Sequence, residues 1–134
     1  MKNLYLGVDI GSVSINIVAI DEENELAFKL YTRNSGNPIE LVKEGLTKFQ
    51  EEIEIDDYII SGVGVTGSGR ELIGYILGAD TIKNEITAHA RASTYYHPDA
   101  GTIFEIGGQD SKLIIVEDGI AVDFAMNTVC AAGT

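Results

Sequence analysis

One pattern in this chain occurs twice, and it limits the folds the chain can adopt. Val8-Asp9-Ile10-Gly11 returns 96 residues later as Phe104-Glu105-Ile106-Gly107. At the same offset, Ile17-Val18-Ala19-Ile20-Asp21 returns as Leu113-Ile114-Ile115-Val116-Glu117. Each copy runs apolar segment, acid, Ile, Gly, polar turn, apolar segment, acid. Such a run reads as strand, tight turn, strand. Strands draw on a small set of residues, so coincidence is one account of the match. The other is a duplicated domain, each copy opening with a hairpin that carries a carboxylate and a glycine at its bend. Glycine there lets backbone N–H groups approach an anion closely, although many buried hairpins also contain Asp-x-Gly.

The first copy is the fuller one. Residues 4–9, 14–20 and 26–33 read as three strands joined by short turns, hence an antiparallel meander. Asn37-Pro38-Ile39-Glu40 has the form of a capped helix start. Ile39, Val42, Leu46, Phe49 and Ile53 continue it as one apolar stripe. Residues 58–66, YIISGVGVT, are apolar and β-branched without alternation, which suits a parallel strand buried on both faces. Ser68-x-x-Glu71 is a second capping-box pattern, opening a short helix to Leu77. A brief strand at 79–83 and a helix at 85–96 follow. His97-Pro98-Asp99-Ala100-Gly101 is turn-rich and is the expected domain boundary, giving domains of 1–98 and 99–134. Beyond it, 102–106, 112–117 and 120–126 read as strands, with Asp118-Gly119 as a two-residue hairpin. The expected fold is therefore α/β with a mixed sheet, followed by the first strands of a duplicate. Three strands with no covering helix would expose an apolar face. The chain is thus expected to be the N-terminal piece of a longer two-domain protein.

Composition narrows the function. With 21 acidic against nine basic residues the net charge is −12. That disfavours nucleic acid and anionic membrane surfaces as partners. ATP remains compatible, because local backbone dipoles and a metal can hold its phosphates. No apolar run reaches 18 residues. The N-terminal apolar stretch is too short for a signal peptide, and a single cysteine allows no intrachain disulfide. A reducing cytoplasm is the expected location.

Two acidic glycine turns facing one another would hold a metal–nucleotide phosphate tail from both sides. The carboxylates would act through Mg²⁺ and its waters, and catalysis would be mostly positioning and charge stabilisation. Lys112 is either a source of positive charge for that site or an ordinary solvated lysine at a strand end. Arg70, just after a glycine turn at a helix start, is a second candidate source of positive charge, but reads rather as a surface residue. Glu85 and His89 share a helical face at i and i+4. Two such residues can ligate a metal, but without a third they also fit a capped surface pair. Cys130 precedes Ala-Ala-Gly-Thr. At a helix start its thiolate would be favoured, yet a lone cysteine is equally a small buried hydrophobe.

The twin motifs resemble the superfamily of sugar kinases, actin and the large heat-shock chaperones, whose halves share a ribonuclease H-like fold. More closely, GVDIGSVS, TGSGR, NEITAHARA, EIGGQDSK and MNTVCAAGT resemble the BadF/BadG/BcrA/BcrD-type activators of 2-hydroxyacyl-CoA dehydratases and benzoyl-CoA reductases. The resemblance implies an actin-like ATPase. It would be a homodimer with one 4Fe-4S cluster between subunits, driving a low-potential electron from a donor such as ferredoxin or flavodoxin into the dehydratase. It implies Asp9 (also on Mg²⁺ through water), Gly11 and Ser12 as the first phosphate loop. Glu105, Gly107, Gly108, Gln109 and Asp110, with Lys112 beside them, would form the second. Asp9 and Gln109 would share in catalysis with Glu85, which would stand near the attacking water. Cys130 would be a cluster ligand. A cubane needs four cysteines, and this chain has one, so the cluster is expected only in a full-length dimer with a second cysteine per subunit. For this chain alone, little ATPase activity and weak nucleotide binding are expected. Two rivals stand beside this reading. A small-molecule kinase of the same superfamily would need a carboxylate base and no Cys130. A non-catalytic regulatory module would keep the fold without turnover.

Overall fold

The computed structural model describes residues 1–107 and 110–127. The chain forms two compact units, Met1–Lys83 and Asn84–Thr134.

The first unit is built on a five-stranded sheet of order β3-β2-β1-β4-β5. Strands β1 (Lys2–Ile10), β2 (Ser14–Ile20) and β3 (Leu26–Arg33) form the antiparallel meander that the short turns predict. Strands β4 (Tyr58–Thr66) and β5 (Thr81–Ile82) add to β1 in parallel, so the sheet is mixed, as expected. Along β1 the period-two alternation is complete. Leu4, Leu6, Val8 and Ile10 are buried, while Tyr5 is exposed and Asp9 half-buried. Helix α1 (Pro38–Glu52) starts where Asn37 accepts a hydrogen bond from the Glu40 N–H at 3.4 Å. Its stripe buries Val42 and Phe49 in the same core as Ile15, Ile17 and Phe28. Phe49 meets Phe28 edge-on at 5.2 Å. Gly45 brings this helix against the sheet: a Cβ there would run into the Ile17 side chain and lie 2.9 Å from Leu30 Cδ2.

Two expectations fail in this unit. Strand β4 is parallel but not buried on both faces. Ile59 is 47% exposed, on the face shared with Asn3 and Asp9, because Phe49 of α1 and Ile73 of α2 join one core cluster on the other face. Helix α2 (Arg70–Leu77) opens at Gly69 with no side-chain cap. Ser68 does not form a capping box; its hydroxyl donates to the Ile10 carbonyl at 3.4 Å instead. The tertiary bond to a neighbouring strand end replaces the local one.

The second unit is an antiparallel sheet, β6 (Thr102–Ile106), β7 (Ser111–Glu117) and β8 (Ile120–Asn127), with helix α3 (Glu85–Tyr96). Asp118 and Gly119 have φ of 51° and 78°, the paired positive angles of a two-residue hairpin. The expected break at 97–101 is not where the compact units divide. Helix α3 lies in the second unit, packing Ala90 and Ile86 on Ile103, Ile114, Val116 and Ala121. One face of this sheet is therefore covered by a helix, contrary to expectation. The opposite face leaves Phe104 and Ile106 exposed.

The repeat is structural as well as textual. In the first hairpin Asp9 pairs with Asn16 and Ile10 with Ile15; in the second, Glu105 pairs with Lys112 and Ile106 with Ser111. Each second pair is the first displaced by 96 positions. The turns close alike, with Gly11 N–H donating to Ser14 O at 2.9 Å and Gly107 N–H to Asp110 O at 2.8 Å. Coincidence of composition would not reproduce register and turn together.

Candidate functional site

In the first unit, Asp9 stands at the carboxyl end of β1, next in register to Thr66 at the carboxyl end of β4. In open α/β sheets this edge is where ligands bind. The Gly11-Ser12-Val13 bend leaves it and is braced by a residue that sequence reasoning missed. Asn34 donates from Nδ2 to Gly11 O at 2.8 Å and from its backbone N–H to Val13 O at 2.9 Å. Twenty-three positions separate Asn34 from Gly11, and no local pattern marks the contact.

The TGSGR segment supplies the neighbouring loop. Gly67 has φ +97°, and a Cβ there would lie 2.6 Å from Asp9 Oδ1 and closer still to the Ile10 carbonyl oxygen. Only glycine fits beneath the Asp9 carboxylate. Gly69 N–H donates to Ile10 O at 2.9 Å. Arg70 donates a guanidinium N–H to Gly67 O at 3.0 Å. Thr66 Oγ1 is buried and makes no hydrogen bond among the described residues. Asp9, Gly11 and Ser12 are thus brought to one sheet edge.

In the second unit, Glu85, Glu105, Asp110 and Lys112 converge. Asn84 caps α3, accepting from Thr87 N–H at 2.9 Å, and so fixes Glu85 as the first helical residue. Lys112 is not a solvated strand-end lysine: its side chain is only 3% exposed. Its Nζ lies 2.8 Å from Asp110 Oδ1, 3.1 Å from Glu85 Oε2 and 3.2 Å from Glu105 Oε2. Burial works against the ammonium. The bonds to Asp110, Glu85 and Glu105, with the charge of Glu105, outweigh it and hold the Lys112 pKa above the usual lysine value. His89 Nε2 lies 3.9 Å from Glu105 Oε1, so Glu105 divides its two oxygens between His89 and Lys112. Glu85 turns to Lys112 rather than pairing with His89 about a metal. Among the described residues, no group of three or more His, Cys, Asp and Glu is arranged to hold a metal ion. Gly107 closes the second turn, whereas Gly108, Gln109 and Cys130 lie outside the described residues.

A mixed sheet opening with an acidic glycine hairpin, followed by a second hairpin in the same register, defines a protein of the actin-like ATPase fold. Residues 6–134 match the BadF/BadG/BcrA/BcrD ATPase family, and the chain belongs to it. It is 33% identical over 138 residues to the (R)-2-hydroxyglutaryl-CoA dehydratase activating ATPase of Acidaminococcus fermentans, covering 100% of this chain and 50% of that protein. It is 33% identical over 130 residues to the 2-hydroxyisocaproyl-CoA dehydratase activator of Clostridioides difficile, covering 96% of this chain and 47% of that one. The solved structure of the Clostridium difficile activator with bound ADPNP aligns at TM-score 0.76 and 31% identity, over 100% of this chain and 48% of that one. The chain spans about half the length of these relatives. No helix among the described residues is long and apolar enough to cross a membrane.

Proposed function

We propose that this chain carries the phosphate-binding half-sites of an ATP-hydrolysing activator that drives low-potential electron transfer into a 2-hydroxyacyl-CoA dehydratase or benzoyl-CoA reductase-type partner. The carrying observation is the 96-residue repeat of register and turn. Gly11 N–H to Ser14 O and Gly107 N–H to Asp110 O close two glycine turns of one design, each following a carboxylate. Membership of an ATPase family whose relatives include dehydratase activators supports the same reading.

The residues present fit ATP. Gly11, Ser12, Gly107, Gly108 and Gln109, with the backbone N–H of Asp110, would contact its phosphates, and Asp9, with the Thr66 hydroxyl beside it in register, would hold Mg²⁺ through water. Mg²⁺ would supply charge neutralisation at the phosphates. Glu85, fixed on a capped helix start and ion-paired, would orient the attacking water or accept its proton, with Asp9 and Gln109 aiding the same step. Cys130 would be one ligand of a 4Fe-4S cluster shared by a homodimer, with ferredoxin or flavodoxin as electron donor, all in the cytoplasm.

The test is on the whole protein purified without oxygen. Steady-state ATP hydrolysis and a cluster signal in electron paramagnetic resonance are expected, with the signal lost in Cys130→Ala. A cluster that survives Cys130→Ala overturns the ligand assignment. Absence of ATP hydrolysis with the dehydratase present overturns the activity, and a phosphorylated metabolite in its place would redirect the reading to a small-molecule kinase.

A further inference from the structure

We propose that Lys112 is a positioning residue that anchors Glu85 of α3 to the β6–β7 hairpin, and not a phosphate ligand. The inference rests on the proposed role of Glu85 as the residue at the attacking water.

A lysine ammonium has three N–H donors and no more. At Lys112 three carboxylates surround the nitrogen: it donates to Asp110 at 2.8 Å and to Glu105 at 3.2 Å, and it is ion-paired with Glu85 at 3.1 Å. A phosphate oxygen would have to displace one of these carboxylates in a site where the ammonium is buried and its charge is compensated. The three acceptors belong to three different parts of the unit. Glu85 is the first residue of α3, Glu105 is on β6, and Asp110 is the residue that accepts from Gly107 N–H in the turn. One nitrogen thus ties the helix start to the glycine turn. The first hairpin carries Asn16 where the second carries Lys112. The two turns are otherwise built alike, so the lysine is an addition specific to the hairpin that packs against α3. Among the described residues, the titratable groups facing this nitrogen are Glu85 from α3, Glu105 from β6 and Asp110 from the turn, with His89 one step out against Glu105.

Positioning and phosphate binding separate in kinetics. In the whole protein, Lys112→Met is expected to lower kcat by about 100-fold, the scale of a misplaced catalytic group. KM for ATP should stay within about threefold of the native value, since no ground-state phosphate contact is lost. Lys112→Arg should restore part of kcat. A rise in KM with kcat retained would make Lys112 a phosphate ligand and overturn the proposal. Hydrogen exchange without nucleotide gives an independent reading. In Lys112→Met the Ala88 and His89 amides of α3 should exchange about tenfold faster relative to those of β7, and an unchanged ratio overturns the anchoring. Where Lys112→Met does not fold, Glu85→Gln cuts the same bridge and carries the exchange measurement. If the native protein proves to lack ATPase activity, the proposed function fails, while the exchange ratio still decides the anchor.

Discussion

Gly67→Ala, compared with Gly36→Ala, tests whether the loop under Asp9 is fixed by space or only by backbone angle. Gly36 and Gly67 have nearly the same φ, +98° and +97°. Alanine at either pays a backbone cost of about 1–3 kcal/mol for leaving the usual region. The surroundings differ. A Cβ on Gly36 meets nothing within 4 Å, whereas on Gly67 it lies 2.6 Å from Asp9 Oδ1 and runs into the Ile10 carbonyl oxygen. That oxygen cannot swing aside like a side-chain end, because it accepts from Gly69 N–H at 2.9 Å and is part of the β1 terminus. Overpacking of this kind costs about 1–3 kcal/mol. The matching φ makes the clash the main difference between the two variants. Gly67→Ala should therefore be less stable than Gly36→Ala by about 1–3 kcal/mol in urea unfolding followed by circular dichroism. A difference under about 0.5 kcal/mol, the scatter of neutral substitutions, would refute the claim that the carboxylate and the strand end leave no room.

Two further outcomes follow from the second unit and the helix starts. Asn84→Ala should cost about 1 kcal/mol and Asn37→Ala less, since the Asn84 cap bond is 2.9 Å and that of Asn37 is 3.4 Å; equal or reversed losses in urea unfolding would refute the ranking. Lys112→Met should destabilise at or below the lower end of the about 3–5 kcal/mol typical of broken buried pairs, because its carboxylate partners are 23–32% exposed. The folded state keeps Lys112 protonated to higher pH than the unfolded chain, whose lysines titrate near about 10.4. The stability this supplies is complete below that pH and is withdrawn as pH rises through the folded-state pKa. The gap between native and Lys112→Met should then be flat from about pH 7 to 10 and narrow above that window as Lys112 deprotonates; a gap that already narrows between about pH 7 and 10 contradicts the ion-pair geometry.

Most of what local patterns encode was legible. Strands Ser14–Ile20, Leu26–Arg33 and Tyr58–Thr66 and helices Pro38–Glu52 and Glu85–Tyr96 fall where alternation, β-branching and asparagine caps place them. The readings that failed needed partners far along the chain. Ser68 had a local acceptor pattern but donates to Ile10, 58 positions away. Strand β4 has the composition of a strand buried on both faces, but α1 and α2 contribute to a single core cluster. Helix α3 follows the first unit's strands without a break in composition, yet its apolar residues, Ile86 and Ala90, fit the second unit's sheet.

The sequence by itself determined the elements and the repeat, because strand alternation, turn chemistry and capping act over a few residues. It also marked Asp9, Gly11, Glu105 and Gly107 as equivalent, since a duplication preserves spacing. Tertiary structure decided the rest: that Asn34 braces the first turn, that Gly67 is the floor under Asp9, and that Lys112 is spent on three carboxylates. Those facts depend on which segments meet in space. That is set by burial of side-chain faces and by the need of a buried ammonium for a full set of acceptors, and neither is written in any local stretch of sequence.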